Sequence, residues 1–197
     1  MARKTQISKE VILRNALEML IRDGYSSINI KTLSKEIGCS TQPLVWHFGN
    51  MEGLRKALAE YALIYANNKI APTAEDAADA FSQVITAYIQ LALREPNLFK
   101  FLYMNSDSSA SLANTDNDAL KSDNSFGELL MRLADSYHIP GENIGRYLQH
   151  TFVYIHGIAA LVVAGIVPAS EEAVMEMIDY AVNSFRMKEG IPSEQTP

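Results

Sequence analysis

The sequence predicts an all-α protein of about nine helices, built as a three-helix head followed by a longer helical body. Three observations carry this reading. Apolar residues recur at helical spacing nearly throughout, and strand-like alternation is rare. Gly, Pro and Asn interrupt that spacing at intervals of a helix length. Charge is divided as well: residues 1–60 hold nine Lys and Arg against six acids, net +3, and the remainder holds eight bases and 17 acids, net −9. A basic head on an acidic body points to two tasks in one chain.

The elements follow in order. Ile12, Ala16, Met19 and Leu20 stripe a first helix that starts near Ser8 and stops at Gly24. Asn29 caps a second, carrying Ile30, Leu33 and Ile37, which Gly38 ends after about two turns. Ser40 is the expected cap of a third short helix, with Pro43 in its first turn, where a missing N–H forfeits no bond. Asn50 caps a fourth, with an inner stripe of Leu54, Ala57, Leu58, Tyr61 and Tyr65, closed by Pro72. Thr73 to Asp76 resembles a capping box ahead of a fifth helix presenting Phe81, Ile85, Tyr88 and Ala92. Glu95-Pro96 breaks that helix and opens a sixth, NLFKFLYM. Fifteen of the 21 residues from Asn105 to Ser125 are Ser, Thr, Asn or Asp, the composition of a mobile loop. Phe126, Leu129, Leu130, Leu133 and Tyr137 mark a seventh helix, a long eighth runs from about Glu142 to Val167, and Ser170 starts the ninth. The polar tail 189–197 is expected to fray.

Composition excludes several classes. The 197 residues, 48% apolar and 20% charged, are an ordinary water-soluble mixture. One cysteine, Cys39, allows no disulfide within the chain and fits a reducing compartment, so the expected location is cytoplasmic. Its turn position reads as packing, not redox sensing. The N-terminus lacks the apolar stretch of a secretory signal. The longest apolar run, Thr151 to Val167, has 17 residues with His156 inside, short of the roughly 20 a span needs, so no membrane role is expected. No metalloprotease, nucleophile-elbow or phosphate-loop motif is present. His150 and His156 lie six apart, about 240° round a helix, and cannot chelate from one face. No enzyme activity, metal or cofactor is expected.

Helices two and three flank Gly38-Cys39-Ser40, the arrangement of a helix-turn-helix. In that motif the second helix enters the major groove with its N-terminal residues toward base edges. Here those residues are Thr41, Gln42 and Pro43. Gln pairs with adenine N6 and N7, and Thr or Pro touches a thymine methyl. Trp46 and His47 come a turn later, beside sugar and phosphate, with Leu44 and Phe48 facing inward. Trp46 as a core residue and His47 as a solvated one are the competing readings.

The run IKTLSKEIGCSTQPLVWHFGNMEGLRKAL resembles the DNA-binding head of the tetracycline-repressor (TetR) family. The matching features are Gly38, Ser40, Leu44-x-Trp46-His47-Phe48 and Asn50-x-Glu52-x-Leu54, within about residues 8–60. The chain departs from the family where Val45 replaces a usual Tyr, Gly49 a frequent Lys, and Met51 a usual Lys. Those residues would imply phosphate contacts, with Lys31, Arg55 and Lys56 as possible substitutes. The DNA-binding candidates are therefore Lys31, Ser40, Thr41, Gln42, Pro43, Val45, Trp46 and His47.

The resemblance implies a body, residues 51–188, that binds a ligand and dimerises, behind a DNA-binding domain of residues 1–50. Small residues at Gly157, Ala160 and Ala164 beside Leu161 suit close helix approach. With Val174, Met177, Ile178, Ala181 and Phe185 they form a candidate half of a four-helix dimer interface, an intrachain core being the alternative. Tyr88, Phe99, Tyr103, Phe126, Met131, Tyr147, His150 and Tyr154 are the candidate ligand contacts, apolar bodies with several polar tips. The expected function is a ligand-responsive transcriptional regulator. In this reading it is a repressor that binds a pseudo-palindromic double-stranded operator as a homodimer and is released by a small-molecule inducer. The alternative is a helical protein-interaction regulator without such a ligand.

Overall fold

The computed structural model describes residues 7–104 and 125–192; the side chains of residues 125–127, 129 and 130 lie outside that description. The described elements are helical: α1 Lys9–Asp23, α2 Ile30–Ile37, α3 Gln42–Phe48, α4 Met51–Ile70, α5 Ala77–Arg94, α6 Pro96–Phe99, α7 Ser125–Tyr137, α8 Gly141–Val163 and α9 Glu171–Lys188. A single turn of 3₁₀ helix, Tyr25–Ser27, follows α1, and a π-helical turn, Lys100–Met104, continues α6. No strand occurs among the described residues. The proposed loop 105–124 lies outside them.

The chain separates into two compact units, Met1–Lys69 with Glu95–Thr115 and Ile70–Arg94 with Asp116–Pro197. This division differs from a head ending at residue 50, because α4 and the 95–104 segment count with the first three helices.

In the first unit, Ser8 Oγ accepts from Val11 N and opens α1, whose inner side buries Ile12, Leu13, Ala16, Leu17, Met19 and Leu20. Asn29 caps α2 through a full capping box with Thr32. Gly38, at φ +74°, closes α2: its N–H reaches Lys35 O and the Cys39 N–H reaches Ser34 O at 2.9 Å. This is the paired C-terminal bonding that a left-handed residue permits. Arg22 on α1 holds Asp23 and, at 3.1 Å, Glu36 of α2. The α6 segment packs on α1 and buries Leu98, Phe99, Phe101 and Leu102. Asn97 Nδ2 donates to Ile21 O at 3.1 Å, satisfying a carbonyl near the end of α1.

The second unit joins α5, α7, α8 and α9, with α5 packing on each of the others. Its core takes Phe81, Ile85, Tyr88 and Ala92 from α5, Leu133 from α7, Ile144, Tyr147, Leu148 and Ile155 from α8, and Val174 and Ile178 from α9. Arg94 and Gln90 of α5 both reach Glu171 at the start of α9.

Several expectations are corrected. Thr41, not Ser40, occupies the N-cap position of α3, in helical conformation and without a side-chain bond. Asp76 itself caps α5, accepting from Ala78 N at 2.8 Å and Asp79 N at 3.0 Å; Thr73 N instead donates to Gln83. On α4 the buried stripe is Leu54, Leu58, Ala59, Ala62 and Ala66, while Tyr61 and Tyr65 are half-buried. Helix α8 stops at Val163, where Gly165 turns the chain at φ +74°. Glu189 and Ile191 are buried, with Glu189 accepting from Arg146 Nε at 3.0 Å, so the tail is fixed as far as Ile191.

Candidate functional sites

Helix α3 spans only seven residues, below the length at which an isolated helix persists in water. It therefore depends on its neighbours α1 and α2. Leu44, 1% exposed, is its one buried side chain. Phe48, expected to be a second anchor, is half-buried, with Lys9 Nζ 5.9 Å above its ring. The turn into α4 is tight: Asn50 N donates to Phe48 O, and Asn50 Oδ1 accepts from Gly53 N at 2.9 Å. A Cβ at Gly53 would stand 3.2 Å from the Phe48 carbonyl carbon and inside the van der Waals envelope of its oxygen. This close approach fixes the angle between α3 and α4, and the sequence reading did not single out Gly53.

The candidate DNA-contacting side chains fall into two groups. Lys31, Ser40, Thr41, Gln42, Val45 and Trp46 are exposed, Trp46 by 67%. That exposure removes the core reading of Trp46 within one chain. Pro43 and His47 are half-buried. His47 Nε2 lies 2.9 Å from Ile7 O, so it donates there, and the ring fastens the segment before α1. The Trp46 and His47 rings meet edge-on, centroids 4.6 Å apart. The structure thus brings together a polar leading edge, Thr41 and Gln42, and a following aromatic pair. Gly49 has φ +73°, so the absence of the family's frequent Lys at this position matches a backbone that disfavours side chains.

The ligand candidates do not form one cluster. Within the second unit a cavity of about 220 Å³ opens between α5, α7, α8 and α9, and of the seven candidates with described side chains only Tyr147 lines it. Tyr88 is buried and its hydroxyl bonds His156 Nδ1 at 2.7 Å. His150 and Tyr154 stand against Phe185 instead, ring centroids 5.8 and 6.1 Å away. Met131 is 65% exposed. Phe99 and Tyr103 belong to the first unit and meet at a tilt, ring centroids 5.1 Å apart; burial pushes the Tyr103 phenol above its usual range. The Phe126 side chain lies outside the described residues. The sequence reading missed the polar wall of the cavity, Asp179, Asn183 and Arg186. Their i, i+4, i+7 spacing on α9 was the available signal. A shallower recess of about 440 Å³ runs along the polar side of α5, past Ser82, Gln83, Thr86 and Gln90.

The interface candidates also divide. Val174, Ile178 and Ala181 are buried within the second unit and cannot meet a partner. Their apolar periodicity signals intrachain core. Phe185, Gly157 and Ala160 are half-buried, Ala164 is exposed, and Leu161 and Met177 are each 42% exposed. Val153 on α8 and Tyr180 on α9, absent from the sequence-based set, extend this exposed apolar face at 64% and 79% exposure. Among the described residues no cluster of His, Cys, Asp or Glu is placed to hold a metal, and no helix is long and apolar enough to cross a membrane.

The chain thus carries a short helix-turn-helix pair, α2 and α3, followed in sequence by a longer helical body. Residues 12–58 match the family described as bacterial regulatory proteins, tetR family. The chain is 29% identical over 92 residues to the class A tetracycline repressor protein from transposon 1721 of Escherichia coli, covering 43% of each chain. It is 31% identical over 71 residues to the class C tetracycline repressor protein of Escherichia coli, covering 36% of this chain and 32% of the relative. The matched stretch thus spans less than half the length of either relative. In fold, it is similar to a TetR variant from Acinetobacter baumannii AYE in complex with minocycline, with a TM-score of 0.60 at 16% identity over 95% of this chain and 99% of that one. It is also similar to a protein of unknown function from Rhodococcus sp. RHA1, with a TM-score of 0.65 at 21% identity over 93% and 98% of the two chains.

Proposed function

We propose that this protein is a repressor that binds a pseudo-palindromic operator as a homodimer and releases it when a small molecule binds the second unit. The observation that carries the reading is α3: a two-turn helix anchored by buried Leu44 with Thr41 and Gln42 exposed at its leading end. Those residue types at that position read adenine and thymine edges. The two relatives matched over part of the chain are named as repressors, and one protein of similar fold was seen with minocycline.

The exposed face formed by Val153, Leu161, Met177 and Tyr180 supports a dimer, since two copies would bury it in a four-helix arrangement. Two heads would then read half-sites about 34–36 Å apart. In this mechanism ligand and operator favour different head spacings, so each lowers the other's affinity by the same factor. Tyr65 and Lys69 of α4 both bond the Glu95 carboxylate, Tyr65 at 3.1 Å. Glu95 directly follows α5, which supports a route from the second unit to α4. Composition and the lone cysteine support a cytoplasmic setting.

Selection of bound duplexes from a random pool, repeated with a metabolite panel, tests this reading. A palindromic consensus is expected, with Gln42→Ala relaxing one base position at a cost of about 1–3 kcal/mol. Absence of any sequence enrichment would overturn it.

A further inference from the structure

We infer that His47 is a positioning residue for DNA binding: by holding the Ile7 carbonyl at the C-terminal end of α3, it sets the basic first nine residues against the sugar-phosphate backbone beside the bases that α3 reads. This deepens the operator-binding reading and rests on it. Charge supplies the first observation. In residues 1–9, Arg3, Lys4 and Lys9 stand before any acid. They account for the whole net +3 of residues 1–60, since the other six Lys and Arg of that stretch are matched by its six acids. Arg22, one of those six, is already paired with Asp23 and Glu36. Val45, Gly49 and Met51 add no cation to α3 or to the start of α4. A duplex carries one negative charge per about 1.7 Å of its axis, and cations that displace its counterions supply much of the affinity. Residues 10–60 are neutral as a whole, so the first nine hold that contribution.

Geometry supplies the second observation. His47 follows the exposed Trp46 on α3, and its Nε2–H donates to Ile7 O at 2.9 Å. Ile7 directly precedes Ser8, the N-cap of α1, and the bonding of α1 begins at Ser8. The His47 bond thus holds a carbonyl that the helix does not use. Two residues further on, exposed Lys9 brings its Nζ to 5.9 Å from the centre of the Phe48 ring, at the end of α3. The segment is therefore docked on the half of α3 that stands beside sugar and phosphate when Thr41 and Gln42 face base edges. Arg3 and Lys4 lie outside the described residues. They precede Ile7 by four and three residues, at most about 14 Å of chain. The tether keeps both within reach of phosphates flanking the base pairs under α3. Such contacts fix register and orientation without reading sequence, so His47 acts through the segment and not on a base.

A mutant cycle separates this role from a purely structural one. The probes are the duplex selected from the random pool and a scrambled duplex of equal length. Fluorescence anisotropy of the labelled duplexes with the full chain, between about 50 and 200 mM salt, reads affinity and salt slope together. Arg3→Gln with Lys4→Gln should weaken binding of both duplexes by about tenfold or more near 100 mM salt, and make the log–log slope shallower by about 2. His47→Phe keeps a ring and removes the donor. In that background the Arg3→Gln and Lys4→Gln step should shrink to about threefold or less, the coupling expected of residues that act as one unit. His47→Gln, whose amide reaches the same carbonyl, should restore most of the step. An undiminished step in a folded His47→Phe protein would overturn the positioning role. An unchanged slope on Arg3→Gln with Lys4→Gln would overturn the inference even if no His47 variant folds. It would leave the operator reading standing, provided the selected duplex still binds better than the scrambled one. A parent chain without that preference would overturn the operator reading, and this inference with it.

Discussion

Gly53→Ala tests how α3 is aimed. At an exposed helical site the change from Gly to Ala stabilises by about 1 kcal/mol, because Ala forfeits less backbone entropy. Gly53 lies in the first turn of α4, yet its added methyl would meet the Phe48 carbonyl, with the carbonyl carbon at 3.2 Å and the oxygen nearer still. The carbonyl is backbone and the methyl is fixed directly to backbone, so neither has a torsion that would relieve the approach. Phe48 O already accepts from Asn50 N at 2.8 Å, so it cannot turn away without breaking the link between α3 and α4. Relief must come from moving the end of α3 away from α4. Such overpacking costs about 1–3 kcal/mol. Set against the propensity gain, the net expectation is a destabilisation of about 1 kcal/mol. Urea unfolding followed by far-ultraviolet circular dichroism measures it. Trp46, the single tryptophan and itself on α3, reports the local change by fluorescence. Operator affinity should fall by more than stability alone explains, since the leading edge of α3 is displaced. A Gly53→Ala protein as stable as the parent or more so, with unchanged operator affinity, would refute this account of the α3–α4 turn.

Other outcomes follow from the same structure. Leu44→Ala empties the one buried position of α3 and should cost about 3 kcal/mol, read as loss of amide protection in α3 by hydrogen exchange. Backbone N–H groups of Asp79, then Ala78, hold the Asp76 carboxyl below its usual range. A depressed folded value gives stability that is full above the unfolded pKa and lost as pH falls through the folded one. The stability gap between parent and Asp76→Ala should therefore shrink between about pH 5 and pH 2, measured by thermal unfolding across that range. Met177→Glu places a charge on the exposed α8–α9 face and, on the proposed homodimer, should shift sedimentation from dimer to monomer while leaving helicity unchanged. With Val45, Gly49 and Met51 in place of phosphate-binding types, the salt dependence of operator binding should be shallow. A log–log slope near −10 would contradict that.

The head was legible in the sequence because its signals are local. Asn29, Gly38 and Asn50 each act within one turn of their own position, through a cap or a left-handed residue, and each does so in the structure. The ligand candidates were not legible in this way. Tyr147, His150 and Tyr154 follow a helical spacing that places them on neighbouring parts of α8, yet Tyr147 lines the cavity while the other two meet Phe185. Periodicity says that a side chain faces inward, not which helix it meets there.

The sequence by itself determined the all-α class, the short helix pair with its glycine turn, and which residues lead α3, since propensity, capping and binary pattern are properties of neighbouring residues. Only the tertiary structure decided that Val174 and Ile178 are core while Met177 and Tyr180 are surface. The same holds for His47, which fastens Ile7, and for Asp179, Asn183 and Arg186, which line the cavity. Those outcomes depend on groups from 40 residues away in the chain, or from another helix, arriving at one point. Only packing determines which ones meet.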